Sequence, residues 1–265
     1  MYCLINFFMD FSLTVYKQFL EGLQYKDYNF QTFGAFLRDP AKKACILRHD
    51  IDKLPANALK MACLESDFGV VASYYFRAVA ESFDEHIIKQ VGDLGHEIGY
   101  HYEDLSLAGG DPEKAIQHFE EQLARFRRIV PVKTICMHGS PLSKYDNRDL
   151  WKHYDYRDFG IIGEPYFDVD FKKVFYITDT GRKWNNEGAS VRDRVESGFD
   201  IPIKSTFHLI ALARQSALPD QMMITVHPQR WHDRAWPWVT ELVGQNIKNA
   251  GKKVLIRIRS GYVVK

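Results

Sequence analysis

Short apolar runs recur along this chain, and several close on a side chain able to ligate or to carry a proton. Runs 45–49, 97–101, 134–138 and 223–227 end on His49, His101, His138 and His227, and run 174–179 ends on Asp179. Bounded by polar residues, Gly or Pro, such runs predict buried β-strands. A strand is also expected over residues 70–76 and strand-like pairing at Ile161-Ile162. Between the runs the spacing turns helical. A helix from Pro55 to about Asp67 sets Ala58, Leu59, Ala62 and Cys63 on one face, and another covers about residues 84–94, followed by Gly95 in the position of a helix-terminating glycine. Asp111 and Pro112 form a cap and first turn for a helix reaching about residue 129. Shorter helices are expected near residues 148–154 and 205–215, a final one near 238–249, and a strand-like alternation over 253–264. Residues 10–40 read as helical, with Phe11, Val15, Phe19 and Leu23 in step, and form an N-terminal extension (1–40) that covers the bottom or one side of the fold. Repeated strand–helix units predict a parallel sheet, open or closed, in an α/β fold.

Composition narrows the class. With 265 residues, 46% hydrophobic and 14% aromatic, the chain fits one domain of α/β-barrel size. A net charge of +1 gives no electrostatic case for nucleic acid or for an anionic membrane. No apolar run is long enough to span a bilayer. The opening Met1-Tyr2-Cys3-Leu4-Ile5-Asn6-Phe7-Phe8 is apolar but lacks a basic flank and a small-residue cleavage site, and Met9 is an equally sensible start. Cys3, Cys45, Cys63 and Cys136 form no CxxC pair, and Cys45 and Cys136 lie inside strand-like runs, so buried free thiols are expected there, in a cytoplasmic setting.

The densest chemistry is Arg48-His49-Asp50-Ile51-Asp52, directly after a strand. In extended chain residues i and i+2 point the same way, so Asp50 and Asp52 can share a pocket, one binding a cation and the other taking a proton. His101 is a candidate imidazole ligand for zinc or a related divalent metal, with Glu103 within reach of the same site, while His96 lies at the opposite end of its strand.

These pieces resemble the polysaccharide deacetylase family (the NodB-homology, or family-four, carbohydrate esterases). His96-Glu97-Ile98-Gly99-Tyr100-His101 is similar to that family's second motif, His49-Asp50-Ile51-Asp52 through Tyr74-Tyr75-Phe76 to its first, and Ile224-Thr225-Val226-His227 to its last. The resemblance covers residues 45–227. It implies a distorted (β/α) barrel of about seven strands with a divalent metal, zinc above others, at the strand carboxyl ends. It implies Asp50 as general base, Asp52 and His101 as metal ligands, and His227 as the acid that protonates the leaving amine.

Three departures stand out. Leu105 occupies the position of the family's second histidine ligand, Met137-His138-Gly139-Ser140-Pro141 stands where a motif with Arg and Pro is usual, and Ile51 separates the two aspartates. A third ligand must then come from His138, His49, Glu103 or Asp104, with His138 the first choice because it too ends a strand.

The remaining candidates concern substrate. His49 and Glu103 flank the site, Asp179 could bond a sugar hydroxyl, and Arg182 could meet a phosphate or carboxylate, unless Asp179 and Arg182 simply pair to steady a loop running from Gly181 to Phe199. Arg230 and Trp231 follow His227, and Trp151, Trp184 and Trp231 offer flat surfaces for a pyranose, whereas Trp236 and Trp238 read as core. The expected activity is metal-dependent removal of an N-acetyl group from a sugar or saccharide intermediate. The alternatives are a non-catalytic glycan-binding relative and a hydrolase of another C–N bond.

Overall fold

A computed structural model describes residues 9–140, 143–184 and 195–261, with side chains as far as residue 251. Seven strands form one sheet: β1 (Asn29–Phe30), β2 (Ala44–Ile51), β3 (Ser73–Phe76), β4 (Glu97–Tyr102), β5 (Ile135–Met137), β6 (Phe175–Thr178) and β7 (Gln221–Val226). The order is β5-β4-β3-β2-β7-β6, every pair is parallel, and β1 pairs with the first residues of β2. The sheet curls into a half-barrel, and a bridge between Thr134 and Gly163 extends its β5 edge just after the Ile161-Ile162 run.

The larger helices are α1 (Leu13–Gln24), α2 (Phe33–Arg38), α3 (Pro55–Asp67), α4 (Glu85–Asp93), α5 (Pro112–Arg127), α6 (Thr206–Arg214) and α7 (Ala235–Gly261). Their starts follow the cap chemistry of the sequence. The side chain of Asp84 accepts from Ile87 N, Asp111 from Glu113 N and Lys114 N, and Ser205 from His208 N. Gly95 ends α4 in the left-handed region at φ 91°, where a side chain would be strained.

Alternation along the strands builds two cores. On β2, Cys45, Leu47 and Ile51 face the helices, and Ala44 and Ile46 face the barrel interior. The interior is plugged from the strand amino ends by Phe33 and Phe36 of α2, packed with Tyr75, Cys136, Tyr176 and Met223. Gly99 is required here, because a Cβ would lie 2.2 Å from the Tyr75 ring. Above this plug the same inward positions become polar: Arg48 and Asp50 on β2, His101 on β4, Thr178 on β6 and Thr225 on β7 are all buried.

Two expectations change. The N-terminal region is not helical throughout, since Asn29–Phe30 joins the sheet by pairing with Ala44 and Cys45 on the stretch of β2 that β3 leaves free. The alternation over 253–264 does not make a strand. α7 continues through Gly261 instead, because Val254 and Ile258 also keep helical step with Val243 and Ile247. Residues 262–265 lie outside the described residues, as do 1–8, which include Cys3, and 185–194, the middle of the expected long loop.

Candidate active site

Asp52, His101 and His138 converge at the carboxyl end of the half-barrel. The Oδ1 of Asp52 lies 3.8 Å from His101 Nε2 and 3.6 Å from His138 Nε2. The ligating atoms of all three lie within 4.8 Å of one another. Each imidazole is turned by a bond at its other nitrogen. His101 Nδ1 donates to the carbonyl of Cys136 at 2.9 Å, and His138 Nδ1 donates to Glu103 Oε2 at 2.7 Å. Both rings therefore present an Nε2 lone pair to a carboxylate oxygen at distances too long for a hydrogen bond.

Burial lowers His101 to about 4, against the pull of Asp50, so its ring is neutral at ordinary pH. Asp52 Oδ1 is buried without a hydrogen-bond partner among the described residues, while Gln229 Nε2 donates to Oδ2 at 3.0 Å. Two lone pairs and an orphaned anionic oxygen facing each other form a donor set suited to a cation. Donors around a tetrahedral zinc with bonds of about 2.1 Å stand about 3.4 Å apart, so the separations fit with little movement.

Asp50 sits beside this group, its Oδ2 3.8 Å from His101 Nε2. Arg48 grips it in a fork, Nε to Oδ1 at 2.9 Å and Nη2 to Oδ2 at 2.7 Å. Burial, the largest single influence, would raise Asp50, but the Arg48 guanidinium together with His101 and His227 holds it below the usual carboxylate range. Asp50, His101 and Cys136 also come together within 4.8 Å.

His227, following β7, points Nε2 toward Asp52 Oδ2 at 4.0 Å, and its Nδ1 lies 2.5 Å from Asp179 Oδ1. Asp179 is fully buried and also accepts from Arg230 Nη1 at 2.7 Å and Trp231 Nε1 at 2.8 Å. Burial again opposes its charge, and Arg230 and His227 overcome it, so its pKa is lowered.

Several expected substrate contacts lie elsewhere. His49 is one residue out of phase, on the helix side of β2, where its Nε2 meets Glu65 at 2.7 Å and its ring stacks on Tyr74. Asp179 has no oxygen left for a sugar, and its cationic partner is Arg230, not Arg182. Arg182 is buried and donates to the carbonyls of Trp238 and Asp10. Trp184 and Trp231 are buried against Phe11, so neither offers a face to a pyranose. Trp151 packs on Tyr102 and Phe119.

Glu103 is consumed by His138, Ser140 and Arg77, and Asp104 by His118 and Tyr100 on the helix side. Leu105 is buried in the helix-side core. Trp236, expected in the core, is 77% exposed.

Sequence reasoning passed over Arg48, Arg77 and Gln229 as site residues. The signal for Arg48 was present, because it shares the i, i+2 face of Asp50 and Asp52. A cleft of about 270 Å³ opens beside Asp52, lined in part by Lys53, Arg77, Gln229 and Arg230 and, from α7, by Glu241, Gln245 and Lys248.

No family model matches the sequence, and no curated protein matches it. Solved structures that match over most of the chain are family-four carbohydrate esterases at low identity. A Streptococcus mutans CE4 esterase is 14% identical at a TM-score of 0.45, covering 86% of this chain and 90% of that one. A family 4 carbohydrate esterase from Bacillus anthracis is 11% identical at 0.44, covering 87% and 84%. A Bacillus anthracis protein described as a CE4 family pseudoenzyme is 14% identical at 0.43, covering 81% and 63%.

Proposed function

We propose that this protein is a metal-dependent amide hydrolase that removes an N-acetyl group from a sugar or saccharide intermediate. One observation carries the proposal: the orphaned Oδ1 of Asp52 faces the lone pairs of His101 and His138, with a carboxylate (Asp50) and a carboxylate-backed imidazole (His227) beside it. Asp52, His101 and His138 would hold a divalent cation, for which two imidazoles and one carboxylate suit zinc. When bound, such a cation supplies Lewis-acid polarisation of a carbonyl and a lowered pKa for water.

The protein's own groups do the rest. Asp50, kept ionised and aimed by Arg48, takes the proton of the attacking water. His227 gives a proton from Nε2 to the departing nitrogen, and the Asp179 carboxylate at Nδ1 stabilises the imidazolium that must precede that transfer. An amine is a poor leaving group until protonated, so a backed imidazole near the base is what a C–N bond requires. The choice of an acetylated sugar rests on the motifs at residues 49–52 and 96–101, and the cytoplasmic setting expected from the sequence favours a biosynthetic precursor as substrate.

The test is acetate release from N-acetylglucosamine oligosaccharides by zinc-loaded protein, with loss expected in Asp50→Asn and after chelation. Absence of acetate from every N-acetylated sugar, with zinc bound, overturns the reading. Leu105, an apolar residue at a family ligand position, favours a second one, a barrel that binds glycan without turnover. That reading is supported if protein supplied with zinc binds the oligosaccharides and releases no acetate.

A further inference from the structure

The helix that walls the cleft has a second, outward face. Glu241, Gln245 and Lys248 of α7 line the cleft, and Gln245 and Asn249 are buried, with Asn249 bonded to the carbonyl of Gly181. On the opposite side Trp236, Val239, Val243 and Ile247 are 77%, 42%, 53% and 68% exposed. Their spacing of three and four residues makes one continuous apolar stripe, and the same spacing continues in the sequence at Ala250, Val254 and Ile258. No acidic residue follows Glu241, while Lys248, Lys252, Lys253, Arg257, Arg259 and Lys265 do, so the near-zero net charge of the chain conceals a basic end on an otherwise acidic protein.

We propose that α7 docks on an anionic lipid surface, lying in the interface with the stripe toward the acyl chains. Charge selects this occupant. A second copy of the same helix would bring like-charged segments together, whereas an anionic surface complements them. Trp236, the most exposed large side chain on the stripe, has the amphipathic ring that interfaces favour.

Sedimentation with vesicles tests this without any turnover assay, so its outcome is independent of the deacetylase reading. The full chain is expected to bind vesicles containing phosphatidylglycerol, to bind pure phosphatidylcholine poorly, and to be released by salt. The Val243→Asp, Ile247→Asp double variant is expected to lose binding while keeping its helical circular dichroism. Because each basic residue near such a surface is worth about fivefold, Lys253→Glu with Arg257→Glu, which by helical spacing flank the stripe, is expected to weaken binding more than about tenfold. Equal binding to both vesicle types, or none, overturns the proposal. If non-binding protein sediments as a dimer, the stripe pairs two copies, and if as a monomer, the chain covers its own stripe.

Discussion

His138 Nδ1 lies 2.7 Å from Glu103 Oε2, and that bond decides which nitrogen the ring turns toward Asp52. Burial would raise Glu103, but His138 and Arg77 outweigh it and lower it to about 2, so Glu103 can only accept and Nδ1 must donate. Replacing Glu103 by Gln removes the charge and lets the ring turn. Zinc affinity, read by competition against a chelator, is expected to fall about 10- to 100-fold. Unchanged affinity would show that His138 needs no such partner.

Arg48 and Asp50 form a buried pair at 2.7 Å, and removing one member leaves the other charge uncompensated. Arg48→Met is expected to destabilise the fold by about 3–5 kcal/mol in urea denaturation. Adding Asp50→Asn to it should restore part of that loss. A double variant no more stable than the single one contradicts the pairing argument.

Asp179 backs His227 and touches none of the three proposed metal ligands. Asp179→Asn keeps one acceptor oxygen, for Arg230, turns an amide N–H2 toward Trp231 Nε1, and withdraws the charge that supports the imidazolium. Acetate release is expected to drop by about 10²- to 10⁴-fold with zinc affinity held. Parallel losses of both would assign Asp179 a structural role alone.

The fold and the proposed site were legible to different depths, and the dividing line is the reach of the interactions. Strand and helix positions follow from local pattern, so Pro55–Asp67, the Asp111 cap and the inward phase of Asp50, Asp52, His101 and His138 could all be read directly. β1 could not, because Asn29–Phe30 is too short to show a period and exists only through its partner β2. The position of His49 turned on one residue of phase, which sends it to Glu65. The partners of Glu103 and Asp179 were hidden because Glu103–His138 and Asp179–Arg230 are long-range pairs that no spacing announces. The same limit hid the burial of Trp184 and Trp231 against Phe11.

Glu164 supplies a pH test away from the proposed chemistry. It is fully buried and accepts from Met137 N and Tyr166 N, yet burial prevails and raises it to about 7. Between about pH 4.5 and 7 the folded protein holds this proton and the unfolded chain does not, so stability falls as pH rises across that window. The contribution is of order 3 kcal/mol, fully present below pH ~4.5 and lost above ~7. Glu164→Gln is expected to flatten the slope in denaturant midpoints measured against pH. An unaltered slope would rule Glu164 out as its source.

The most direct measurement is calorimetric titration of zinc into chelator-treated protein, run on the wild type and on His138→Ala. A site built by Asp52, His101 and His138 should take up one ion per chain in the wild type, and its affinity should fall more than about a hundredfold in the variant, since a carboxylate and one imidazole make a poor zinc site. Wild-type protein that binds no zinc, or a variant that binds it equally well, would contradict the site on which the proposed hydrolase depends.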